Sequence, residues 1–169
     1  AGDIMCFHAV KFEILENMSA AGVLIDTEQL EKQKIYIKNK IEISEKEIHD
    51  MAGTEFLISS PKQLGETLYD KMGLGSKIKK TATGKRSTGI EMLESIKDEH
   101  PIIEKIINWR EIVKVYNTYL EPLNNYIKID GKVHPRFLQA GAATGRFSCE
   151  EPNMQNLPRN TELGLAVRK

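Results

Sequence analysis

Two cysteines, no long apolar run and no net charge are what this 169-residue sequence offers first. Cys6 and Cys149 stand far apart and belong to no metal-spaced cluster. Two such lone cysteines suggest a reducing, cytoplasmic setting in which they are structural at most. No stretch approaches the ~18 apolar residues of a membrane span, and the opening AGDIMCFHAVKFEI lacks the layout of a signal peptide, so no membrane partner is expected. Lys and Arg number 24 and Asp and Glu 24, so the global charge says nothing about partners. Internal repeats and low-complexity tracts are absent. With 40% apolar and 28% charged residues, the composition is that of one globular domain, or one domain plus part of a second.

A self-contained active site is also missing from the pattern. No Ser/His/Asp or Cys/His arrangement has a motif around it. His8, His49, His100 and His134 are scattered and read as surface or capping residues. Glu150-Glu151 is an acidic pair outside the expected helices, and a solvated turn explains it. Gly141-Ala142-Ala143-Thr144-Gly145 has neither the spacing of a phosphate cradle nor a following amphipathic helix.

Helices dominate what is present. Phe7, Val10, Ile14, Leu15 and Met18 keep a helical spacing that stops at Gly22, so a helix is expected over 5–21. Asp26, with Gln29 at the capping-box position, opens a second over 28–52, striped by Leu30, Ile37, Ile41, Ile48 and Met51. One long stripe calls for an antiparallel partner or an exposed arm. Ser60-Pro61-Lys62-Gln63 is a strong helix start, with Leu64, Leu68 and Met72 on its buried face. Thr88 with Glu91 reads as another capping box. Pro101 opens a helix lasting to about Tyr119, and Pro122 should end or kink it. Tyr126–Ile129 and Lys132–His134 then read as a β-hairpin on an Asp130-Gly131 turn, with irregular chain from Gln139 onward. The expected fold is mainly α with a small β part, with a domain boundary near 122–128.

Two segments carry polar contact-makers. Between Asp70 and Glu91 there is no acid, yet Lys71, Lys77, Lys79, Lys80, Lys85 and Arg86 fall there. Such a block is either a polyanion contact or a solvated loop. Further on, Thr144-Gly145-Arg146-Phe147 sets an Arg among small residues, and Pro152–Arg159 gathers Asn153, Gln155, Asn156 and Arg159. Amides and guanidinium suit base edges and phosphates; equally, they satisfy a loop's own backbone.

The order of these motifs resembles a specific family. Ala143-Thr144-Gly145-Arg146, Ser148, then Pro152-Asn153-x-Gln155-Asn156-x-Pro158 is similar to the stretch preceding the first catalytic motif of family A, DNA polymerase I-like enzymes. Ser60-Pro61-Lys62-Gln63-Leu64, Met72-Gly73-Leu74, Lys80-Thr81-x-Thr83-Gly84 and Ser87-Thr88 resemble the family's thumb in the same order. Arg110, Lys114 and Thr118-Tyr119 match its long thumb helix. His134, Phe137 and Gln139 match the hairpin into the palm, and Glu13, Met18 and Gly22-Val23-x-Ile25-Asp26 match its first helix. Leu57 and Ser59 depart from the pattern, as do Leu138, Ala140 and Ala142. Arg159-Asn160 after Pro158 resembles phage-type or divergent bacterial members.

The resemblance implies a thumb over 1–124, with antiparallel long helices, and the start of a palm over 125–169. It implies a monomer of a bacterial or phage-infected cytoplasm that grips primer-template duplex DNA. Lys77, Lys79, Lys80, Lys85, Arg86, Ser87 and Thr88 would form a phosphate-binding tip, and Arg110, Lys114 and Asn117 would line the helix behind it. Arg146 would reach the minor groove near the primer terminus, helped by Gln139, Thr144, Asn153, Gln155 and Asn156. The family's metal-binding Asp-Tyr-Ser-x-x-Glu strand, its nucleotide-binding fingers helix and its His-Asp-Glu turn are not in the sequence. Mg²⁺ and deoxynucleotides are therefore expected of a complete polymerase, with no cofactor held by these residues. A non-catalytic nucleic-acid-binding module sharing the thumb, or a coiled-coil interaction domain, are the alternatives.

Overall fold

The computed structural model describes residues 13–76, 86–139, 141, 144 and 146–156. The chain is mostly helical, with two small antiparallel strand pairs. It gathers into two compact units, one of Tyr36–Lys114 and one combining the residues up to Ile35 with those from Val115. Among the described residues no helix is long and apolar enough to cross a membrane.

In the Tyr36–Lys114 unit the core is Ile48, Ile58, Leu64, Leu68, Tyr69, Leu93, Ile96, Ile102, Ile103, Ile106 and Trp109. Helix α2 (Thr27–Ala52) contributes its second half and α5 (Pro101–Val115) its first. Trp109 Nε1 donates to Glu45 at 3.2 Å and Lys105 Nζ to Glu47 at 2.6 Å. Numbers rising on α2 meet numbers falling on α5, so the two run antiparallel, and the stripe on α2 finds a partner inside its own chain. Each large apolar side chain buried here contributes roughly 1.5–3 kcal/mol. His49, in the last turn of α2, bonds the Phe56 carbonyl at 2.8 Å and closes the loop that follows α2.

Helix α3 (Pro61–Gly65) starts where the sequence places it, with Ser60 Oγ accepting from Gln63 N. Its capping box is not reciprocal. The Gln63 side chain accepts instead from Leu57 N at 2.7 Å, tying down the incoming loop. The helix runs on as a π-helical turn, Glu66–Lys71, in which Thr67, Leu68 and Tyr69 are all buried. Helix α4 (Ile90–Glu94) also lacks its expected box: Gly89 is the cap residue and no side chain caps it. Thr88 is taken up by packing, with its methyl 3.6 Å from where a Cβ on Gly65 would stand, and Ser87 Oγ accepts from Gly89 N. Helix α5 begins at Pro101, with His100 Nδ1 accepting from Ile102 N.

The other unit opens with α1, helical over residues 13–21. The part of the expected 5–21 helix before residue 13 lies outside the described residues. Strand β1 (Val23–Leu24) pairs antiparallel with β2 (Lys132–Val133), and β3 (Arg136–Leu138) with β4 (Ser148–Glu150). The expected hairpin is thus reduced to one bridge, Ile127 to Val133, and a bond from Lys128 N to Lys132 O. The connection spans three residues, Ile129–Gly131, and β2 turns its other edge to β1. Asp26 caps α2 by accepting from Gln29 N at 2.9 Å. Pro122 does not end the helical run. A π-helical stretch, Tyr116–Leu120, precedes it and a helical turn, Glu121–Leu123, carries it. Widening the backbone just before a proline relieves the clash of its ring with the preceding turn.

His134 closes this unit. Its Nδ1 faces the Ser19 carbonyl at 2.9 Å and its Nε2 faces Asp130 Oδ2 at 3.0 Å, so both ring nitrogens meet acceptors. The Ser19 carbonyl first, then Asp130, raise the ring's pKa, and His134 in turn lowers that of Asp130. Lys132 Nζ donates to the Ala21 carbonyl at 2.8 Å, so two side chains, His134 and Lys132, meet the C-terminal carbonyls of α1. Gly22 is required under the ring. Its φ is +67° and a Cβ there would stand 2.7 Å from His134 Cε1.

Candidate nucleic-acid interface

The Tyr36–Lys114 unit carries a groove of about 1160 Å³ between the start of α3, the loop before α4 and the outer turns of α5. Four cations line it, Lys62, Arg86, Arg110 and Lys114, against two carboxylates, Glu66 and Asp70. Ser60 and Ser87 add hydroxyls.

Tyr69 is one of its lining residues. The π-helical turn brings this ring to the wall of the groove, where it is only 6% exposed. Its hydroxyl donates to the Ser87 carbonyl at 2.6 Å. The Arg86 guanidinium lies over the ring, 5.5 Å from its centroid, and Arg86 Nη1 reaches the Tyr69 carbonyl at 3.5 Å. Arg86 Nε is buried and has no hydrogen-bond partner among the described residues. Arg110 Nη1 donates to the Thr88 carbonyl at 2.5 Å. Burial pushes the Arg110 guanidinium below its ordinary pKa, with Tyr69 pulling partly the other way. Burial likewise raises the Tyr69 phenol, opposed by Arg110 and Arg86. The bonds just described join both guanidiniums to backbone carbonyls. A desolvated guanidinium is a strong ligand for phosphate oxygens.

Arg86, Ser87, Thr88, Arg110 and Lys114 are therefore brought together on one groove, as their order in the sequence does not show. Arg86 differs from the exposed loop residue expected, because Tyr69 half-buries it. Lys77, Lys79, Lys80 and Lys85 lie outside the described residues. The segment's incoming end is tied down, with Gly75 N donating to Glu99 Oε2 at 2.7 Å. Sequence reasoning missed Tyr69 and Lys62. An aromatic with a polar tip next to a basic block was the available signal for Tyr69.

The remaining expected residues belong to the other unit. Asn117 is exposed on the π-helical stretch. Gln139 follows β3 and lines a hollow of about 590 Å³ with Leu15, Glu16 and Ser19 of α1. Arg146, exposed, precedes β4 by two residues, so Gln139 and Arg146 fall at the same end of the β3–β4 pair. Gly141 allows that end to close, since a Cβ there would overlap Ser148 Oγ at 1.8 Å. Glu150 is paired with Arg136 across the strands. Thr144 is exposed. Asn153 Oδ1 accepts from Gln155 N and caps the short turn Met154–Asn156, which makes Asn153 a brace for that loop.

Comparison with known proteins now decides the family. The sequence model of DNA polymerase family A matches residues 27–169. The chain belongs to that family. This family A chain is 42% identical over 157 residues to DNA polymerase I of Deinococcus radiodurans, covering 92% of the chain and 16% of that protein. It is 40% identical to the thermostable DNA polymerase I of Thermus aquaticus, again over 92% of the chain and 19% of the relative. It spans less than a fifth of either. Its fold is similar to the POL domain of Pol1 from M. smegmatis, solved in complex with DNA primer-template and dNTP. The TM-score is 0.80 at 33% identity, over 91% of this chain and 27% of that one.

Proposed function

We propose that this chain is the duplex-gripping part of a DNA-directed DNA polymerase, with residues up to about 124 acting as thumb and those from 125 beginning the palm. The groove around Tyr69 carries this reading, because it gathers Arg86 and Arg110 with their charge directed at carbonyls and open space. Its ligand is the phosphate backbone of primer-template duplex. Backbone contact gives a grip without sequence preference, which is what a polymerase moving along any template needs. Lys77, Lys79, Lys80 and Lys85 join the same contact on the strength of the sequence alone.

Arg146 has a different task. Exposed on its loop before β4, it reaches the minor groove, where every correct pair offers an acceptor at similar positions, purine N3 or pyrimidine O2. One guanidinium can thereby test pair shape and ignore sequence. Gln139, Thr144, Asn153, Gln155 and Asn156 flank or brace it, and Asn117 extends the helix contact.

Among the described residues no three of His, Cys, Asp and Glu converge to hold a metal ion. These residues do not fit Mg²⁺, and no step here runs through it or through deoxynucleotides. Both belong to the activity expected of the whole polymerase. Fluorescence anisotropy with two duplexes of unrelated sequence tests the grip. Equal affinities that weaken with salt are expected, and a strong preference for one sequence, or no binding, contradicts the proposal.

A further inference from the structure

We propose that Tyr69 is a positioning residue that presets the groove for phosphate, an inference that rests on the duplex-binding reading above. Three parts of this one residue hold the chain where it returns from the basic segment. The hydroxyl fixes the Ser87 carbonyl at 2.6 Å, the ring supports the Arg86 guanidinium, and the backbone carbonyl accepts from Arg86 Nη1. Next along, Arg110 fixes the Thr88 carbonyl, so residues 86–88 are held from two helical elements at once.

An arginine side chain has many rotamers, and immobilising it on binding costs affinity; fixing it beforehand removes that cost. The flat Tyr69 face restricts Arg86 to a plane, and the hydroxyl stops the 86–88 backbone from turning its carbonyls into the groove. Carbonyl oxygens there would repel a phosphate. Tyr69 touches no substrate in this scheme. It acts through Arg86 and Ser87.

A double-mutant cycle on the 169-residue chain reads this out, with fluorescently labelled duplex DNA as probe and circular dichroism confirming that each variant is folded at the binding temperature. Tyr69→Phe keeps the ring and removes only the hydroxyl. It is expected to weaken duplex binding about fivefold, the order of one newly mobile side chain. The salt dependence should be unchanged, since no charge is lost. In an Arg86→Ala background the same change should cost less than about twofold, because the two residues act as one unit. Arg86→Lys keeps the charge but loses the flat face and the second donor, and should weaken binding comparably to Tyr69→Phe. Unchanged affinity in Tyr69→Phe or in Arg86→Lys overturns the inference while leaving the grip intact. So does an equal loss in both backgrounds, which marks a merely structural tyrosine. A parent chain that binds no duplex overturns both readings.

Discussion

The two compact units hold their arginines in opposite ways. In the Tyr36–Lys114 unit, Arg86 and Arg110 are partly buried and bonded to backbone carbonyls, Arg86 laid over the Tyr69 ring, beside a continuous apolar core. In the other unit, Arg146 is exposed on a loop and Arg136 is paired with Glu150 across two short strands. Partly buried cations are costly to leave without an anion, so on the reading proposed above the first unit suits a fixed, delocalised charge such as a phosphate backbone. An exposed arginine on a braced loop is free to follow a substrate. On the proposed reading, the difference separates holding from checking.

The largest expected effect lies in the first unit's core. Ile106→Ala removes a fully buried side chain between α2 and α5 and should cost about 2–5 kcal/mol of stability. Urea unfolding measures it, and a loss under 1 kcal/mol would show that the unit is loosely packed. Next comes Arg146→Ala in the complete polymerase. Primer extension should slow at least tenfold, about 1.4 kcal/mol of transition-state stabilisation, with the melting temperature almost unmoved. Arg146→Lys should recover little, for want of the planar fork. Near-normal extension, or a large loss of stability, would make Arg146 structural and erase the contrast between the units.

The sequence exposed the local part of this architecture and hid the part made by packing. Asp26 and Ser60-Pro61 are caps whose partners sit three residues away, and both helices start there. Leu30, Ile37 and Ile48 are buried as their spacing requires. Thr88 was misread because its methyl is used against Gly65, a neighbour that local spacing cannot supply. The β1–β2 pairing joins opposite ends of the described chain, so the Asp-Gly turn suggested a two-residue hairpin where β2 serves a different strand. The groove was legible as a set of basic residues and illegible as a place. Tyr69 organises it, and the π-helical turn that aims Tyr69 leaves no signature in spacing.

A smaller effect should come from the other unit's histidine clasp. The folded His134 pKa is raised, so its stabilisation is fully present below the unfolded value of ~6.5 and is lost as pH rises through the folded value. Asp130 is lowered, so its share is present above ~3.9 and is lost as pH falls through its folded value. Melting temperatures should therefore be highest between about pH 4 and 6.5 on account of this pair. His134→Gln should flatten the alkaline flank. A flank as steep as that of the parent would place the titration elsewhere.

The separation of holding from checking is tested most directly by the salt dependence of duplex binding. If about four phosphates are neutralised, log K should fall against log salt with a slope near −3.6 for the parent chain. Changing Lys79, Lys80, Lys85 and Arg86 together to Ala should flatten that slope clearly, whereas Arg146→Ala should reduce it by no more than about 0.9. A quadruple variant with the parent's affinity and slope would contradict the account, because the basic segment would then be a solvated loop and the groove beside it no grip on DNA.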